Sequence, residues 1–123
     1  MTTWRVRDAA TGRLLASRIR RAEGWLDRTL GLLPRSAIAM DEGLWIPRCG
    51  AVHTLGMRVP LDIVFLDGDG RVIGVEAAVR PGRWHVGRSG AQAVAEFAAG
   101  FATAHALTAG TLLAFEPVVS ASR

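Results

Sequence analysis

The run Leu61-Asp62-Ile63-Val64-Phe65-Leu66 constrains this chain more than any other stretch. Read as a strand from Val59 to Asp67, it puts Leu61, Ile63 and Phe65 on one face and Asp62, Val64 and Leu66 on the other, because side chains alternate along extended backbone. Both faces are apolar apart from one carboxylate. A strand of that kind needs cover on both sides, which places it centrally in a sheet. Asp67-Gly68-Asp69-Gly70 follows at once as a tight-turn sequence, and Arg71 to Glu76 is the returning strand of the hairpin. The same Asp-Gly-Asp-Gly order lacks the carboxylate spacing and terminal Glu of a calcium loop, so it is a turn.

Other elements group around that hairpin. Trp4 to Asp8 alternates, Ala9 to Gly12 marks a turn, and Leu14 to Ile19 makes a second strand. Arg21 to Leu33 carries Trp25, Leu26, Thr29, Leu30 and Leu33 at helical spacing, and the ring of Pro34 ends it. Asp41-Glu42-Gly43 turns into a short strand, Leu44 to Ile46, closed by Pro47, and Val52 to Met57 is a further strand candidate. Ala91 to Ala106 is alanine-rich and reads, on propensity alone, as one helix interrupted at Gly100. Thr111 to Phe115 is the last strand.

With 123 residues there is room for one domain, spanning 1–123. Half of them are hydrophobic and a fifth are charged, as in ordinary globular proteins. All fifteen basic residues are Arg, and Lys, Asn and Tyr are missing, which reads first as a genome signature. Arg5, Arg7, Arg13, Arg18, Arg20 and Arg21 face only Asp8 within residues 1–21. We read them as a basic edge strand that discourages aggregation rather than as a nucleic-acid surface. The single Cys49 excludes an internal disulfide and a multi-cysteine zinc site. Residues 97–115 carry no formal charge, but their glycines, threonines and His105 make them too polar and too broken for a membrane span. No secretory pattern precedes Arg5, Arg7 and Asp8, so a cytoplasmic location is the default expectation.

The middle of the chain is similar to a known family. His53-Thr54-Leu55-Gly56-Met57-Arg58-Val59-Pro60-Leu61-Asp62-Ile63-Val64-Phe65-Leu66-Asp67, then Asp69-Gly70-Arg71-Val72, resembles domain-of-unknown-function family 192. Arg28 to Leu33, Glu42 to Trp45 and Ala93 to Gly100 resemble further segments of that family, so the likeness covers residues 17–116. Many relatives carry an aromatic-rich stretch where this chain has Val52 to Arg58, which implies different chemistry there. The resemblance implies a compact α+β domain: a curved, mostly antiparallel, barrel-like sheet with one or two short helices. It also implies a strand at Ala93 to Phe97 and a short helix near Phe101 to Ala106, in place of the long alanine helix. It implies no established activity.

Several residues could carry chemistry. His53 titrates near neutral pH and can serve as acid, base or ligand. Asp62 on an apolar strand needs partners, and Arg58, Arg48 or backbone donors can supply them. No pair among His53, His85, Cys49 and Asp62 has zinc-ligand spacing, so no metal and no cofactor is expected. Cys49 followed by His53 invites a nucleophile–base reading, but nothing in the sequence activates the thiol. The loop Arg80-Pro81-Gly82-Arg83-Trp84-His85-Val86-Gly87-Arg88 joins Arg and Trp, the residues richest in interaction hot spots. The expected site is a cleft between the His53–Asp62 segment and this loop, with His53, Thr54, Arg58, Asp62, Arg83, Trp84 and Arg88 as ligand-binding candidates. The leading expectation is a non-catalytic binding module for a peptide, protein surface or small anionic ligand. A small hydrolase or isomerase using His53 and Asp62, and a structural accessory of a larger assembly, are the alternatives.

Overall fold

The computed structural model describes residues 2–22 and 37–119. Nine strands and one helix are defined in them: β1 (Trp4–Asp8), β2 (Leu14–Arg21), β3 (Glu42–Pro47), β4 (Ala51–Val52), β5 (Leu61–Leu66), β6 (Val72–Val79), β7 (Val86–Gly87), β8 (Ala93–Ala98), α1 (Phe101–Ala104) and β9 (Leu113–Pro117). Seven strands make one sheet in the order β6-β5-β8-β3-β2-β1-β9, and β4 pairs with β7 as a separate ribbon. Its two edges meet at one end, where Arg71 bridges to Leu112 just before β6 and β9 begin. The sheet is therefore a curled half-barrel. The expected α+β class is corrected toward sheet, since α1 is the one short helix among the described residues.

Every pairing is antiparallel except β2 with β3, which run parallel in register from Arg18 opposite Glu42 to Arg21 opposite Trp45. A parallel pair needs a crossover, and residues 22–41 supply it. The helix expected from Arg21 to Leu33 falls there. From residue 23 onward it lies outside the described residues, and Arg21 itself ends β2.

Three local expectations change. The strand expected from Val52 to Met57 shrinks to Ala51–Val52, and Thr54 to Met57 turns instead, with the Met57 N–H bonded to the Thr54 carbonyl. Across Ala91 to Ala106, β8 and α1 replace the single helix that alanine content suggests, as the family resemblance implies. The basic N-terminal strand is not an edge. β1 lies between β2 and β9, and both Arg5 and Arg7 donate to one Glu116 oxygen, at 2.6 and 2.8 Å.

All six residues of β5 are buried, as its two apolar faces require. Val64 and Leu66 join an inner cluster with Val6, Ala16, Ile19, Ala95, Phe97 and Phe101. Leu61, Ile63 and Phe65 join an outer cluster with Leu44, Ile46, Val79, Val86 and Val94. α1 packs on β5 and β8 and sets Phe101 against Phe97, ring centroids 4.0 Å apart.

Glu96 is the anomaly of the outer face. It sits on β8 between Leu44 of β3 and Ile63 of β5, with 5% of its surface exposed. Burial lifts its carboxyl from the ordinary 4.5 to about 7, against the lowering pull of Arg20. The folded chain thus holds this proton to a higher pH than the unfolded chain does. The Glu96 contribution to stability should be fully present below about 4.5 and fall by on the order of 3 kcal/mol as pH rises through about 7. In Glu96→Gln that slope should vanish, and urea midpoints above pH 7 should exceed those of the wild type. Denaturation across pH 4 to 8 checks both outcomes.

Candidate functional site

Asp62 comes first because its surroundings decide what it can do. Between β5 and β6 the register slips: Leu61 faces Val79 but Ile63 faces Glu76, so Ala77 and Ala78 together oppose Asp62. This is a β-bulge, and Ala78 takes a left-handed φ of 49° within it. The bulge turns the Ala78 N–H out of the ladder, and Asp62 Oδ1 accepts it at 2.8 Å. Oδ2 accepts the N–H groups of Gly100 at 3.1 Å and Ala102 at 2.9 Å, where the chain enters α1. The carboxylate is 1% exposed and satisfied by backbone donors.

Of the partners considered for Asp62, the backbone donors are the ones found, and Arg58 is not among them. Arg58 is exposed, and three amides do the work assigned to it. Sequence spacing suggested Arg58, whereas the real donors lie 16, 38 and 40 residues away. Buried and held by backbone amides, Asp62 acts in the scaffold.

Thr54 does bring the two expected segments together. Its N–H donates to the Arg83 carbonyl, its carbonyl accepts from the Gly82 N–H, its hydroxyl donates to the Arg80 carbonyl, and its Oγ1 accepts the Arg83 N–H, all at 2.8–2.9 Å. Thr54 is completely buried under these contacts. Beside it, β4 pairs with β7, Ala51 opposite Gly87 and Val52 opposite Val86. A side chain with one donor and acceptor, together with its own backbone N–H and carbonyl, thus clamps the loop from Arg80 to Val86.

What the clamp presents is basic and aromatic. Trp84 is 80% exposed, and Arg80, Arg83 and His85 are exposed beside it in sequence. Because Leu61 lies opposite Val79, the chain at Arg58 and the chain at Arg80 leave the sheet at the same end. Arg88 behaves differently. It folds over the bare backbone of Gly74, with its guanidinium 5.8 Å above the Phe65 ring and 3.6 Å from Glu76. It roofs the outer cluster rather than reaching for solvent.

The side chains of His53 and Cys49 make only local bonds. The Leu55 N–H donates to His53 Nδ1 at 3.2 Å, and the Cys49 thiol donates to the Ala51 carbonyl at 3.0 Å. No hydrogen bond joins His53 to Asp62 or to Cys49. Among the described residues, no group of three His, Cys, Asp or Glu is placed to hold a metal ion, and no helix is long and apolar enough to cross a membrane.

Sequence reasoning missed a second feature. At the end of the half-barrel away from α1, a cavity of about 530 Å³ opens between the end of β3, the Asp67–Gly70 turn, the start of β8 and the start of β9. Trp45 and Phe115 form its wall, stacked at 4.5 Å between centroids. Arg21 lies over the Trp45 ring at 5.0 Å, and Trp4 meets that ring edge-on. The lining comes from separate segments, so no local motif announces it. Only the alternation of Trp45 with Leu44 and Ile46 hinted that its ring faces inward.

The sequence profile of domain-of-unknown-function family 192, described as "Uncharacterized ACR", matches residues 6–115. No curated protein matches the chain. Among solved structures, a protein of unknown function from Novosphingobium aromaticivorans shares 24% identity at a TM-score of 0.77, covering 90% of this chain and 82% of its own. A protein of Sinorhizobium meliloti named as a candidate transcription regulator shares 22% identity at 0.80, covering 93% and 92%. A Burkholderia pseudomallei protein named as a candidate exported protein shares 19% identity at 0.54, covering 94% of this chain and 25% of its own. At these identities the likeness is one of fold.

Replacing Asp62 by Ala leaves one buried and two partly buried amide donors without their acceptor, at about 1–3 kcal/mol for the buried one and less for each of the others. Asp62→Ala should therefore lose on the order of 3 kcal/mol of stability in urea titrations. Arg58→Ala should shift the midpoint by less than about 0.5 kcal/mol, as exposed substitutions do.

Proposed function

The chain belongs to domain-of-unknown-function family 192, and we propose that it works as a non-catalytic binding module that recognises an acidic peptide or acidic protein surface through the Arg80–Arg88 loop. The observation that carries this reading is Trp84, a large ring held 80% in solvent on a backbone clamped by Thr54. An unbraced loop would lose conformational entropy on binding, and a clamped one loses far less. Exposed Trp ringed by Arg is the composition in which binding energy concentrates. Arg80 and Arg83 supply positive charge without an ion pair among the described residues, and Arg58 emerges at the same end of the sheet. Thr54 positions the loop, and Asp62 supports the sheet beneath it. The acid–base alternative has less support, since both Asp62 oxygens are occupied by amides and His53 Nδ1 by the Leu55 N–H.

A glutamate-rich peptide with one central Phe, titrated into the protein by calorimetry, tests the reading. Binding should weaken about tenfold or more in Trp84→Ala, as for a hot-spot residue, and weaken as salt rises. The fold should be unchanged, because the ring buries little. A lysine-rich peptide that binds equally well, or a Trp84→Ala variant that binds undiminished, contradicts it.

A further inference from the structure

The cavity at the mouth of the half-barrel is a second site, and it stands independently of the Trp84 surface. Its volume, about 530 Å³, lies in the range of small-molecule pockets. Its wall is rigid: Trp45 is held by Phe115, Arg21 and Trp4 at once, so the aromatic surface is in place before any ligand arrives. Leu66, Ala93 and Leu113 continue the apolar lining down to the inner cluster.

The rim carries both signs of charge. Asp67 spends Oδ1 on the N–H groups of Arg71 and Asp69, at 2.9 Å each, which fixes the turn and holds its carboxyl below the ordinary range. Arg71 balances that charge and donates to the Gly110 carbonyl. Arg48, on the opposite lip, has an interaction of its own. Asp69 is different. It is exposed, lines the mouth, and its carboxylate has neither hydrogen bond nor ion pair among the described residues. An apolar, aromatic wall below one unpaired carboxylate is complementary to an apolar ring system carrying a positive charge.

We infer that the half-barrel mouth binds a small molecule with a planar apolar body and a protonated amine, the body against Trp45 and Phe115 and the amine at Asp69. The amine stays in the wet rim, where an ion pair supplies modest affinity and most of the discrimination. The ring enters the apolar part, where burial supplies the larger share.

The probes are 2-naphthylmethylamine and its carboxylate counterpart 2-naphthylacetate, titrated into the isotope-labelled full chain by two-dimensional NMR. The amine should shift the Trp45 indole and the backbone of residues 67–70, 92–93 and 113–115, and leave the Trp84 indole still. It should bind at least about fivefold more tightly than the carboxylate, the share of one partly exposed ion pair. Asp69→Asn changes an exposed turn side chain without touching the fold, and it should reduce that preference below about twofold. No saturable shift up to about 1 mM overturns the inference, as do equal or tighter binding of the carboxylate, shifts centred on Trp84, or a preference that survives Asp69→Asn.

Discussion

Three backbone amides converge on the Asp62 carboxylate, and the rest of the fold is arranged around that convergence. A charge with 1% exposure is tolerable only with several donors aimed at it. One donor comes from the bulge in β6, where Ala78 holds a left-handed φ that alanine adopts at a cost. The other two come from the turn into α1, which is too short to be stable alone. One side chain thus ties an edge strand and a marginal helix to the most buried strand of the sheet. The Schellman-type close of α1 adds to this: the Leu107 N–H reaches the Ala102 carbonyl, Ala106 takes φ 53°, and Leu107 enters the core.

With α1 fixed, the half-barrel has two unlike ends. Phe101 and Leu107 fill one, so that the interior is closed beside β5 and β8. The other is drawn together by the Arg71–Leu112 bridge and stays open above Trp45 and Phe115. On the outer face, the β4–β7 ribbon and Arg88 cover the cluster around Phe65, and the same ribbon carries the loop that presents Trp84. Closure and presentation are therefore outcomes of one connectivity.

Much of this was legible in the sequence. The two-faced strand Leu61–Leu66 and its Asp-Gly turn appear where alternation and turn chemistry place them, and the family resemblance corrected the alanine-rich stretch to β8 and α1. Propensity failed there because alanine fits tight packing on a central strand, and burial between β3 and β5 outweighs its helical preference. That Asp62 needed donors was legible, but which amides supply them was not. Backbone N–H groups have no sequence signature, and a bulge is visible only once two strands are in register. The Arg-rich N-terminus misled for the same reason, since Glu116 faces it only after β9 has paired with β1. The mouth cavity is built from segments far apart in the chain, so it had no motif to find. The Arg80–Arg88 loop was legible because its residues are contiguous, although its brace through Thr54 was not.

The central claim is that the Asp62 carboxylate holds the bulge, the turn and α1 as one unit. Native-state hydrogen exchange at the amides of Ala78, Gly100 and Ala102 measures this directly. All three should be protected, and they should exchange through a common opening whose free energy approaches that of global unfolding. Fast exchange at Gly100 and Ala102, with Ala78 opening independently of them, would contradict the account.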